Sequence, residues 1–449
     1  MVTANSEQLQ RRQDWLLIVL IGAIHGSSHF FQLVFPTLFL YLSHAFGFDY
    51  LQLGFLVTAF FFVSGVGQAS SGFVVDRIGA MPVLHFGLLS FVVSGALIAA
   101  SQNYWMLFAA AIIGGAGNSV FHPVDYSIIN ERVSPERLGH AFSVHGLTGN
   151  LGWALAPVFI TTISMWAGWR AAALGAGLLV LVIYFFALLG RNLLSGAGPA
   201  LSSTIEGTHR KSAAQEKVDE PAVTQTARSV TTDGPVDDLS QHTVWETVTA
   251  IVKKPALWGA FLFFAFSSVA LSAVQNYTIP LMSTVYKLSE MLSGLSLSAY
   301  MLTAAVGMIA GGFLAGASAR SERIVFVSLV MAGLLLLLLA FSIVPGWAAI
   351  SLVALAGFCS GVAAPSRDML IRRVAPKGAT GTIYGLVYSG MDVGASIAPA
   401  VFGYLVDAKM DRGPWYGAAL AFTISALMAV YVAYAAQQQQ RERMRPEYA

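Results

Sequence analysis

Apolar residues run through this chain in long stretches separated by short polar joints. Six runs precede residue 192, at about 15–42, 51–75, 81–101, 104–130, 137–165 and 168–190. Six more follow, at about 256–286, 291–318, 323–344, 347–372, 379–406 and 414–436. Crossing a bilayer as a helix takes roughly 20 mainly apolar residues. At these lengths only helices satisfy their own backbone in lipid. The pattern therefore predicts an all-α membrane protein with twelve transmembrane helices. The first run lacks a small-residue cleavage site at its end and reads as a retained span rather than a cleaved signal.

Residues 192–255 break the pattern, being rich in Ser, Thr, Gln, Asp and Lys. Such a stretch cannot bury a core and reads as a flexible linker. Its end, His242 to Lys254, suits a short amphipathic surface helix. The expected organisation is a six-helix bundle over 1–191, a cytoplasmic linker over 192–255, and a second six-helix bundle with a short tail over 256–449.

Composition supports a bilayer environment. The chain is 56% apolar and only 11% charged, against roughly 25% charged in soluble proteins. A single cysteine, Cys359, excludes a disulfide framework and a thiol-rich metal site. The net charge of +2 says little; the placement of charge says more. With the N-terminus inside, the outer joints hold only Arg170, Lys287, Lys409 and Arg412. Arg367 lies within the tenth run, and every other Lys and Arg falls on the inner side. This is the positive-inside distribution. It places both termini in the cytoplasm and the chain in the inner membrane.

The two halves repeat. At a shift of 242 residues Pro123 falls on Pro365, Gly139 on Gly381, Gly152 on Gly394, and Ala156-Pro157 on Ala398-Pro399. With a one-residue slip, Arg132-Val133-Ser134-Pro135 meets Arg373-Val374-Ala375-Pro376. At a shift of 243, His25, His29 and Gln32 of span one meet Ser268, Ser272 and Gln275 of span seven. Two parallel repeats related by a pseudo-two-fold axis along the membrane normal place a binding site at their interface, and rocking one half on the other exposes that site to each side in turn.

The joint after span two reads Gly72-Phe73-Val74-Val75-Asp76-Arg77-Ile78-Gly79, which resembles the loop motif of the major facilitator superfamily, although Ala80-Met81 replaces the usual basic pair. The stretch Asn118 to Pro123 with His122, and then Gly139 to Gly152, is similar to the fosmidomycin-resistance branch. The resemblance implies the major facilitator fold and proton-driven export of a drug or metabolite. It also implies gating roles for Gly72, Asp76, Arg77 and Gly79. Span five carries Gly152-x-x-x-Ala156-Pro157, similar to the antiporter motif of that superfamily. Span eleven repeats it as Gly394-x-x-x-Ala398-Pro399, which equally suits close helix packing.

Ionisable residues within spans are costly and are candidate functional groups. Asp125 follows His122 by one turn in span four, so the two share a face. By the repeat it matches Arg367, and the two are expected to meet across the axis when the cytoplasmic side closes. Asp125, His122 and Asp392 are the candidate proton-coupling groups. His25, His29 and Gln32 form one stripe of span one. With Gln275, Asn276 and Tyr277 of span seven, and Arg367, they are the candidate substrate-binding residues. No carboxylate or thiol sits on the histidine stripe, so the sequence assigns it no metal.

The chain has no nucleotide-binding loop, zinc-protease motif or nucleophile elbow. It reads as a transporter with no cofactor, not an enzyme. Its expected partners are a small-molecule substrate, protons and the lipid bilayer, with no nucleic acid. Proton-coupled export of a small organic molecule leads. A proton symporter importing an organic acid, suited by Arg367, and a non-transporting membrane sensor are the alternatives.

Overall fold

The computed structural model describes residues 2–195, 255–317, 320–374 and 380–443. Among these, twelve helices are long and apolar enough to cross a membrane. In the first half they are spans one (Glu7–Phe46), two (Tyr50–Ile78), three (Ala80–Ala100), four (Tyr104–Arg132), five (Pro135–Ala167) and six (Trp169–Leu189). In the second half they are spans seven (Pro255–Thr284), eight (Glu290–Ala317), nine (Ser321–Phe341), ten (Gly346–Arg367), eleven (Ser389–Asp407) and twelve (Gly413–Gln438). The chain is thus all-α, as the hydropathy pattern predicts. Most of the linker of the sequence reading lies outside the described residues.

Local chemistry sets where the helices start and bend. Asp49 caps span two: its side chain accepts from the Gln52 N–H (2.7 Å), and the Gln52 side chain accepts from the Asp49 N–H (3.2 Å). This is the reciprocal capping box. Span one breaks between Gln32 and Val34, where Pro36 lacks the N–H that would reach the Gln32 carbonyl. Span four breaks between Asn118 and Phe121, four residues before Pro123. The carbonyl of Ser119 freed there accepts the Ser71 hydroxyl of span two (3.2 Å). In lipid such a freed carbonyl needs a replacement partner.

At the end of the bundle that carries the chain termini, Asp14 is 1% exposed. It is held by Arg137 (2.7 Å), Ser134 (2.5 Å) and Gln10 (3.0 Å). These bonds tie the base of span one to the joint before span five. Higher up, Gly152 packs on the carbonyl of Gly26. That contact draws spans one and five close enough for their histidine side chains to meet.

The halves join toward the opposite, far end. The Cα of Gly54 faces the Pro399 carbonyl, Gly403 faces the Tyr50 carbonyl, and Gly294 sits against Thr161. Spans two and eleven therefore lie against each other, as do spans five and eight. Toward the terminal end, among the described residues, a Cβ added at Gly72, Gly139, Gly146, Gly312 or Gly316 meets nothing within 4 Å. The described halves are closed at the far end and splayed at the terminal end.

Candidate functional site

The break in span four carries Asp125 into the heart of the N-terminal bundle, where it is fully buried. Its Oδ2 lies 3.1 Å from His25 Nδ1 of span one and 3.2 Å from His145 Nε2 of span five. The two imidazoles stack with ring centroids 3.5 Å apart. His29 stands 4.5 Å from His25, centroid to centroid, and His122 stands 5.1 Å from it. Four of the nine histidines in the chain are thus gathered round one carboxylate. With Asp125 ionised, both facing ring nitrogens must donate to it. With both imidazoles neutral, that leaves His25 and His145 each with a bare acceptor nitrogen.

The cluster is under-satisfied. Asp125 Oδ1 and both ring nitrogens of His29 are buried with no hydrogen-bond partner. Gly149 makes room for it: a Cβ there would stand 2.9 Å from His29 Cε1 and 3.1 Å from His25 Nε2.

A chain of amides leads from the cluster toward span two. His29 packs on Trp153, centroids 4.2 Å apart. Trp153 Nε1 donates to Gln32 Oε1 (2.9 Å), and Gln32 Nε2 donates to Asn118 Oδ1 (3.0 Å). Asn118 Nδ2 in turn donates to Ser64 Oγ (2.8 Å).

The expected pairing of Asp125 with Arg367 is absent from this conformation. Asp125 turns to histidines of its own half, and Arg367 lies over the Phe264 ring at 5.1 Å while lining a small cavity with Ser267, Tyr300 and Ser360. The histidine stripe of span one does face inward, and span four supplies the carboxylate that the stripe itself lacks.

In span seven, Gln275 and Asn276 are buried, and Gln275 Nε2 and Asn276 Oδ1 have no partner. Tyr277 is fully buried; its hydroxyl donates to the Pro399 carbonyl, and its ring packs on Phe39 of the other half. Asp392 is half-buried and meets Gly65 of span two across the interface. Asp76, Arg77 and Gly79 are exposed at the terminal end and Gly72 is partly so; Asp76 and Gly79 share a groove with Glu131 and Arg132.

Several members of this arrangement are not among the candidate site residues of the sequence: His145, Trp153 and Asn118. His145 carries a signal in retrospect, standing one turn before Gly149 on a span rich in small residues. Asn118 is marked only as the first residue of the stretch that ends at Pro123, and Trp153 carries no signal, because a tryptophan in a span is ordinary until its partner is known.

A family model for the Major Facilitator Superfamily matches residues 19–399 and 265–447. The chain is 20% identical over 368 residues to a probable L-galactonate transporter of Escherichia coli, covering 80% of this chain and 76% of that protein. It is 25% identical over 271 residues to citrate exporter 1 of Aspergillus niger, covering 58% of this chain and 48% of that protein. A solved structure of a bacterial homologue of the human lysosomal transporter Spinster, inward-facing and unoccupied, superposes with a TM-score of 0.66 at 13% identity, covering 97% of this chain and 99% of that one. The fold is the one the repeat implies, and the chain belongs to the Major Facilitator Superfamily, a family of membrane transporters rather than enzymes.

Proposed function

We propose that this protein is a proton-coupled exporter of a small organic molecule, working by alternating access in the inner membrane with both termini cytoplasmic. The observation that carries the reading is the buried Asp125 carboxylate held by His25 and His145 at 3.1 and 3.2 Å. An ionised carboxylate with only neutral partners in a lipid-embedded core is costly. It lowers that cost by taking a proton, on itself or on a touching imidazole. Histidine exchanges protons near neutral pH, so the cluster can load and release one as its access to water changes. His122 sits beside it to pass the proton, and Asp392 offers a second exchangeable group at the interface of the halves. Asp76, Arg77, Gly72 and Gly79 act as the terminal-side gate.

Substrate is placed between the halves, contacted by His29 and Gln32 on one side and by Gln275, Asn276, Tyr277 and Arg367 on the other. Export is supported by the likeness of span five to the antiporter motif and of spans four and five to the fosmidomycin-resistance branch. Arg367 beside a cavity favours a second reading, import of an organic acid with protons. A relative named as an L-galactonate transporter fits an acidic cargo in either direction. A thermal-shift screen of metabolites and drugs supplies the substrate. Inverted vesicles then decide: uptake with counterflow of protons supports export, and proton co-movement into right-side-out vesicles supports the second reading. Substrate binding without any proton flux refutes both.

A further inference from the structure

The cluster has the donor set of a metal site. One ring nitrogen from each of His25, His122 and His145 lies within 4.8 Å of the other two. Asp125 Oδ2 stands 3.1 and 3.2 Å from nitrogens of His25 and His145. Zinc–nitrogen bonds of roughly 2.0–2.1 Å put two ligands of a tetrahedral ion about 3.3 Å apart, so these two separations already match the edge of such a polyhedron. His122, at the break in span four, stands with its ring centroid 5.1 Å from that of His25 and 6.1 Å from that of His145. Imidazole nitrogen with one carboxylate selects the zinc, copper and nickel class over magnesium or calcium.

We propose that His25, His122, His145 and Asp125 bind a divalent transition-metal ion of the zinc class. The ion is an inhibitory ligand, not cargo. All four ligands belong to spans one, four and five, within one bundle, whereas a transported solute must be gripped by both halves in turn. Bound there, it staples three spans of the N-terminal bundle together. It also occupies the atoms that the proton reading assigns to protons, so zinc arrests proton-coupled transport. The binding claim stands without that reading; the arrest rests on it.

The test uses the full chain in detergent, stripped by chelator, with any affinity tag removed. Zn²⁺ is titrated calorimetrically, and Co²⁺ is added to report geometry through its visible absorption. Expected are one tight ion per chain, a Co²⁺ band of tetrahedral intensity, and at least tenfold weaker binding in His122→Gln and in His145→Gln. The exposed His140→Gln serves as control and should bind as the parent does. Absence of a tight ion in the parent chain overturns the site, and so does undiminished binding in both variants, which marks an adventitious surface ion. The parent measurement decides even where a variant misfolds. Substrate-driven proton flux is measured separately in excess chelator. Its loss in metal-free protein sinks the proton reading and leaves the metal result standing.

Discussion

The carboxylate of Asp407, the last residue of span eleven, accepts the backbone N–H of Tyr50 at 3.0 Å and that of Leu51 at 2.7 Å, at the first turn of span two in the other half. An acid at the C-terminus of its own helix is disfavoured by the helix dipole, and an acid at another helix's N-terminus is favoured by it. Asp407 has exchanged the first position for the second by reaching across the interface. The contact ties the two halves together at the far end.

Asp407→Asn should weaken it. A charged acceptor on backbone N–H groups is worth about 1.5–3 kcal/mol, so losing the charge should move the balance toward the far-open state by roughly tenfold or more. Single cysteines placed at the two ends in a Cys359→Ser background report the shift. Labelling at the far end should rise and labelling at the terminal end should fall. Equal labelling of parent and variant would show that the contact carries no closing energy.

Asp76 occupies the corresponding place at the other end of the same helix pair. It lies in the last turn of span two, exposed in this splayed conformation. The helix that carries span eleven begins at Thr380, and the free N–H groups of its first turn are the natural donors to that acid when the terminal end closes. Asp76→Asn should therefore bias the protein further toward the terminal-open state, opposite to Asp407→Asn. If both substitutions move accessibility the same way, the two acids are not alternative latches.

The sequence carried the twelve spans and the two-fold repeat because lipid removes every alternative: a run of 20 apolar residues has few other fates. It also marked His25, His29, Asp125 and His122 as candidate groups, because a polar side chain costs free energy there and stands out. What it could not supply was the company Asp125 keeps in this conformation. Repeat symmetry sets Asp125 against Arg367 only when the terminal end closes; with that end splayed, Asp125 holds His25 of span one and His145 of span five instead. Linear periodicity lists the polar residues of each span but not which spans bring them together. Asp407 went unremarked for a different reason. It sits at a span end, where charge is cheap, and only the contact across the halves gives it meaning.

The linker offers a check on the domain reading. It has no apolar periodicity, and the free energy of a flexible tether depends only weakly on its length. Removing 210–240 should leave membrane expression and transport intact. Loss of expression in that deletion would assign the segment a structural part.

Gly149 is a steric test of the histidine cluster. A methyl group there would stand within 2.9–3.1 Å of His29 and His25, closer than packed atoms tolerate. Overpacking of this kind costs about 1–3 kcal/mol, and the rings are the groups that must yield. Gly149→Ala should fold with a modestly lower Tm and lose proton-driven transport far more than substrate binding. Gly146→Ala, one turn away with nothing within 4 Å of its added methyl, should behave as the parent. Equal effects from the two substitutions would mean that the rings need no special room.

The last expectation concerns Asp125 and His145 as a unit. Asp125→Asn keeps shape and removes charge, so it imitates the protonated carboxyl. It should bind substrate and lose gradient-driven accumulation, because no proton can leave. His145→Gln removes one of the two partners and leaves a buried carboxylate less satisfied, at a cost of about 1–3 kcal/mol. Combining them should cost less than the sum, since the neutral amide no longer needs the second imidazole. The coupling energy for such a contact pair runs at about 0.5–3 kcal/mol. Thermal unfolding of the parent, both single variants and the double variant measures it, alongside proton flux in proteoliposomes. Additive losses of stability would show that the 3.2 Å contact is incidental. Accumulation by Asp125→Asn at the parent rate would remove Asp125 from the coupling path altogether, and the search for the proton would then move to Asp392.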